Sequence, residues 1–182
     1  MTRVWAITHN REDYKSLSAF DERYCTYPRE DGTSELGTWE PQHLTYESYE
    51  AEDINLGLSN FPGWGGLSAC DAKAKEVLST LTADGVEFLP LFVPEISHTN
   101  YFAINVLRIL DCLDNERSKF GYFGDLRMRI DKYEFKPDCI GDTPIFKLPI
   151  FTRVRTYVTD SFKELVEENN LTGLEFRKVW EG

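Results

Sequence analysis

A stretch of eighteen residues occurs twice without a gap, Asp71 to Phe88 and Thr159 to Phe176, and it limits what the chain can fold into. Five positions are identical: Lys75/Lys163, Glu76/Glu164, Gly85/Gly173, Glu87/Glu175 and Phe88/Phe176. Each copy opens on a residue able to cap a helix with a side-chain oxygen, Asp71 or Thr159. Apolar residues then recur at helical spacing: Ala74, Val77, Leu78 and Leu81 in one, Phe162, Leu165 and Val166 in the other. Gly85 or Gly173 follows, able to end a helix in the left-handed conformation, and Val86-Glu87-Phe88 or Leu174-Glu175-Phe176 then alternates as a half-buried strand does. The pattern predicts two helix–turn–strand units of one design. Short amphipathic helices also resemble one another by chance, and two units are fewer than a solenoid needs; the gapless match favours duplication.

Other strands are expected at Val4–Ile7, Val86–Val93, Ile145–Leu148 and within Tyr101–Leu110, whose Ile and Val content prefers a buried strand. Leu126, Met128 and Ile130 alternate with Arg127, Arg129 and Asp131, predicting a strand with one wet face. Arg153 to Val158 alternates in the same way and runs into the second unit. Residues 10–26 carry Tyr14, Leu17 and Phe20 at roughly helical spacing. Asn105 lies among apolar neighbours and needs a fixed polar partner, for which the Asp111–Ser118 turn is a candidate. The order is neither strict βαβα nor all-β, so the expected fold is α+β: a single domain, residues 1–182, with a mixed or antiparallel sheet. Residues 1–66 form its acidic, loop-rich part and 67–182 its core.

Charge is unevenly spread. Of the formal net charge of −11, residues 1–60 supply −7, from twelve acids against five bases. No Lys or Arg occurs from Glu30 to Ala72, while Glu30, Asp31, Glu35, Glu40, Glu47, Glu50, Glu52, Asp53 and Asp71 accumulate. Such a field repels phosphate backbones and anionic lipid, which argues against nucleic-acid and membrane partners. Cys25, Cys70, Cys112 and Cys139 are scattered, as in a reducing compartment, and the N-terminus lacks the apolar run of a signal peptide, so a cytoplasmic location is expected.

Motifs for chemistry are sparse. Ser59 and Ser68 lack the second glycine of a nucleophile elbow, and Gly63-Trp-Gly-Gly66 lacks a P-loop lysine. His9, His43 and His98 are isolated, and Asp111, Asp114 and Glu116 read first as turn formers. No catalytic residue, metal ligand or cofactor is assigned. The alternative is a metal-assisted hydrolase built on Asp111, Asp114, Glu116 and His98.

Phe88-Leu-Pro90, Tyr101-Phe-Ala-Ile-Asn105-Val, Asp111-Cys-Leu-Asp114 with Arg117-Ser118, Val158-Thr-Asp-Ser-Phe-Lys-Glu-Leu165 and Leu171-Thr-Gly-Leu-Glu-Phe176, in this order, resemble a family of small bacterial proteins. These are immunity proteins of polymorphic toxin systems, immunity protein family eleven, formerly a domain of unknown function. The likeness runs from about Leu56 onward, and Asp71 stands where the family often has Ser or Thr. It implies a non-enzymatic protein that binds and blocks a cognate toxin domain, and it supplies no catalytic residues. A basic toxin would suit the acidic, ring-bearing stretch holding Trp39, Tyr46, Tyr49 and Trp64. The candidate contact residues are Trp39, Glu40, Glu47, Tyr49, Glu50, Glu52 and Asp53. These acids could instead form a solvated face or pair with Arg127, Arg129, Lys132, Arg153 and Arg155; an adaptor with a non-toxin partner is a further alternative.

Overall fold

The computed structural model describes residues 1–47, 56–82, 84–95 and 100–182. In chain order the elements are β1 (Arg3–His9), β2 (Leu17–Ala19), β3 (Gln42–Tyr46), β4 (Gly63–Trp64), β5 (Leu67–Asp71), α1 (Ala72–Thr82), β6 (Val86–Phe92), β7 (Tyr101–Val106), β8 (Lys119–Phe123), β9 (Leu126–Lys132), α2 (Pro137–Ile140), β10 (Ile145–Phe146), β11 (Tyr157–Thr159), α3 (Asp160–Glu168) and β12 (Leu174–Glu181). The fold is mixed α/β and rich in sheet.

β1 runs antiparallel between β11 and β12, and β10 extends this sheet beyond β11. A second set of strands closes on itself in the order β2-β3-β6-β7-β5-β4, with parallel pairings at β2–β4 and β3–β6. β8 and β9 form a separate two-stranded ribbon.

Period-two alternation sorts the side chains of these strands into three cores. On β6 and β7, Leu89, Leu91, Tyr101 and Ala103 fill the barrel with Leu17, Leu44 and Trp64. Their neighbours Val86, Phe88, Ile104 and Val106 point the other way, onto Ala74 and Leu78 of α1 and Phe162 and Val166 of α3. Strands buried on both faces read as near-continuous apolar runs, which accounts for Tyr101–Val106. On β1, Ile7 joins the helices' core, whereas Val4 and Ala6 face Phe146, Tyr157, Tyr133 and Phe135. The four cysteines carry free thiols.

Asp71 caps α1, its carboxylate accepting from Ala74 N–H at 2.8 Å and from the Asn60 amide at 2.7 Å. The Asn60 carbonyl oxygen accepts from Thr172 N–H at 3.0 Å, so one amide links the cap of α1 to the turn after α3. Thr159, expected to cap α3, does not: its hydroxyl donates to Thr143 O.

The glycines also act differently from expectation. α3 ends with Asn170 at φ 50°, where Asn170 N–H donates to Glu167 O and Leu171 N–H to Val166 O, the paired bonds of a Schellman end. Gly173, at φ 102°, serves close approach instead, since a Cβ there would lie 2.5 Å from Ser59 Oγ and 2.6 Å from Phe61 O. Gly85 has no left-handed backbone; the nearest atoms a Cβ on it would meet belong to the flexible Arg108 side chain, at 3.1 Å.

Other expectations are corrected. Residues 10–26 hold β2 and one 3-10 turn in place of a helix, with Leu17 in the barrel and Phe20 in solvent. Arg153 lies in a turn, and the expected strand shrinks to Tyr157–Thr159 because the chain bends at Phe151–Val154. Leu126 and Met128 are exposed: β9 pairs with β8, and the ribbon packs on the ring core through Phe120 and Ile130 alone, leaving its far end uncovered.

Gly173→Ala is expected to destabilise the fold by about 1–3 kcal/mol, because both the backbone and the space disfavour a side chain. Gly85→Ala should cost less than about 1 kcal/mol. Urea unfolding of the two variants checks the contrast, and equal midpoints would contradict it.

Candidate functional site

The acidic stretch turns part of its charge inward. Glu30 and Glu35 are buried, and a third buried carboxylate, Glu87, lies opposite Asn105 on β6 and β7. Glu87 accepts from Ser34 Oγ, from Glu35 N–H at 2.9 Å and from the Asn105 amide at 3.1 Å; that amide also donates to Thr33 O at 3.0 Å. Asn105 therefore anchors residues 33–35, not the Asp111–Ser118 turn. Glu35 in turn accepts from Arg29 N–H at 3.0 Å and faces the Arg29 guanidinium at 3.7 Å.

Glu30 accepts from Lys147 Nζ at 2.5 Å, and Lys147 also donates to Thr152 O at 2.7 Å. Lys147 is 2 % exposed, and burial pulls its pKa below the ordinary lysine value although Glu30 opposes the shift. Glu30 itself, at φ 56°, and Phe151, next to Thr152 and at φ 58°, adopt left-handed backbone without being glycine. A cavity of about 260 Å³ opens against the pair, with His9, Arg11, Arg153 and Arg155 on its wall. His9 Nε2 is buried without a hydrogen-bond partner, and burial together with Arg11 lowers the imidazole pKa to about 4. Nothing in the sequence pattern brought Arg153 and Arg155 to residues 9–11 and 30.

Of the candidate contact residues, Trp39, Glu40 and Glu47 flank the barrel. The Trp39 indole donates to Pro90 O at 2.9 Å and its ring packs half-buried on the barrel core. Glu40 is exposed and forms no ion pair among the described residues, while Glu47 is half-buried with its N–H on Ser16 O. Tyr49, Glu50, Glu52 and Asp53 lie outside the described residues. Two neighbouring rings are committed to the fold: Trp64 is fully buried, and the Tyr46 hydroxyl lies 2.9 Å from that of Tyr101. The bases considered as internal partners bond elsewhere: Arg129 to Asp131, Lys132 to Glu134, Arg127 to Asn115 and Arg153 to Arg29 O.

Asp114 is a turn former, its carboxylate accepting from Glu116 N–H at 3.0 Å and Arg117 N–H at 3.1 Å. His98 lies outside the described residues. Among those described, no three His, Cys, Asp or Glu side chains are grouped to hold a metal ion. The ribbon of β8 and β9 exposes a feature the sequence reading missed: Tyr122, Phe123, Leu126 and Met128 are all exposed, Phe123 by 78 %. Its strict alternation suggests one buried face, yet of Leu126, Met128 and Ile130 only Ile130 packs on the core.

These features define a sheet-rich α/β protein that displays charged and apolar surfaces around a barrel. The model of the immunity protein family Imm11 matches residues 16–181, and the chain belongs to that family. Membership implies an immunity function and suggests an inhibitor that is not an enzyme. The match begins well before Leu56, so the acidic stretch lies within the family's span. No curated protein matches the chain. Among the described residues, no helix is long and apolar enough to cross a membrane.

Lys147→Met, which strands Glu30 unpaired, is expected to cost about 3–5 kcal/mol, and adding Glu30→Met should recover most of it. Urea unfolding of both variants measures this; a double variant no better than the single one would contradict the pairing. Stability should also fall as pH drops from 6.5 towards 4, because the unfolded chain protonates His9 near 6.5 and the folded one only near 4. That part is on the order of 3 kcal/mol. It should be missing from the pH profile of His9→Gln, and superimposable profiles would contradict the assignment.

Proposed function

We propose that this protein binds and neutralises a cognate toxin domain through an acidic, aromatic-bearing surface, with no bond made or broken. Membership of the Imm11 family is the observation that carries the reading. The net charge of −11 supports a basic partner, since opposite fields speed encounter and suppress wrong partners. Trp39, Glu40, Glu47, Tyr49, Glu50, Glu52 and Asp53 are the proposed contacts. Exposed Glu40, on the segment that the Trp39–Pro90 bond holds to the barrel, supports that choice.

In this reading the chain is one cytoplasmic domain that works without a cofactor, nucleic acid or membrane. Loops within residues 1–66 present the charge, and residues 67–182, with two similar helix–strand units, hold them together with β1 to β4. A second surface is favoured by the exposed Tyr122, Phe123, Leu126 and Met128, because the uncovered apolar end of the ribbon resembles the centre of an interface.

Co-expression with the toxin domain encoded next to this chain tests the reading: growth should be restored, and no rescue would overturn it. Reversing Glu47, Glu50, Glu52 and Asp53 to Lys should slow association and flatten its salt dependence. Unchanged association kinetics would move the interface off this surface.

A further inference from the structure

The cavity of about 260 Å³ beside the Lys147–Glu30 pair is cationic within an acidic chain. Glu30 is the carboxylate on its wall, and Lys147 already neutralises it. Arg11, Arg153 and Arg155 also line it, and none of the three forms an ion pair among the described residues. Arg11 and Arg153 are exposed and Arg155 half-buried, and Arg153 also donates to Arg29 O at 3.4 Å, so positive charge gathers at the cavity mouth, where it attracts an anion. They are gathered from two distant segments, the end of β1 and the 151–156 turn.

Three further observations point to a ligand. His9 Nε2 is buried with no hydrogen-bond partner, a cost that a bound polar group would remove. Glu30 and Phe151 hold left-handed backbone, and strain of this kind in non-glycine residues concentrates at ligand clamps. Lys147 holds both strained segments at once, through Glu30 and through Thr152 O, so the wall is set before any ligand arrives.

We propose that this cavity binds a small phosphate monoester, its dianionic phosphate held by Arg11, Arg153 and Arg155 and its organic part lying against His9. Guanidinium forks match phosphate oxygens two at a time, which a single carboxylate uses less fully. The volume falls just below the roughly 300–1,000 Å³ of sites for drug-sized ligands, so the organic part is no larger than a sugar. The assignment is independent of the toxin-binding reading.

Isothermal titration calorimetry of the full chain with ribose 5-phosphate, and separately with inorganic phosphate at matched ionic strength, tests it. The ester should bind saturably, one per chain, with a Kd on the order of 1 mM or tighter, and inorganic phosphate about tenfold more weakly. Arg155→Gln and Arg11→Gln should each weaken ester binding about tenfold or more while leaving the melting temperature unchanged. Absence of saturable heat from both anions, or wild-type binding by both variants, would overturn the site. Equal affinity for the two anions would overturn the monoester in favour of a bare ion.

Discussion

The ion pair between Glu30 and Lys147 joins residues 117 positions apart in sequence and is nearly closed to water. A charge taken out of water is costly unless it is met by an opposite charge and its remaining hydrogen bonds are filled. Here the ammonium also donates a hydrogen bond to Thr152 O, so one lysine fixes both the 28–35 loop and the turn before β11. The Glu87–Asn105 pair holds the same loop from the barrel side through Thr33, Ser34 and Glu35. Without these buried polar anchors, a glycine- and proline-rich stretch would have little apolar surface with which to hold its place.

The two sheets depend on each other through the helices. α1 and α3 share one core, which receives the outward face of the barrel on one side and the Ile7 face of β1 on the other. Asn60 adds a polar tie between the cap of α1 and the turn after α3. The far face of β1 is closed by rings, where Phe135 meets Phe146, Tyr157 and Trp180 edge to face at about 6 Å. The ribbon of β8 and β9 is exposed on most of its residues, and that makes its apolar side chains available to a partner.

What could be read from the sequence was whatever local patterning decides. β1, β6 and β7 follow from β-branched and aromatic runs, and α1 from Asp71 and the spacing of Ala74 and Leu78. What could not be read depends on contacts between distant segments. Gly173 looks like a helix terminator until Phe61 O is found against it, and Asn170 does that work instead. Leu126 and Met128 alternate as a half-buried strand would, yet no layer covers them. At the candidate site, the acidity was plain in the residue order. That Glu30 and Glu35 turn inward was not, because Glu30 meets Lys147, and Glu35 meets Glu87, only through the fold.

In the proposed reading the chain works by geometry: the buried pairs hold residues 29–35 in place, and a held segment loses less entropy on binding. Hydrogen–deuterium exchange of the chain, alone and saturated with its cognate toxin domain, tests this most directly. The account predicts slowed exchange across residues 39–53 on complex formation. Protection confined to Lys119–Lys132, with residues 39–53 unchanged, would contradict it.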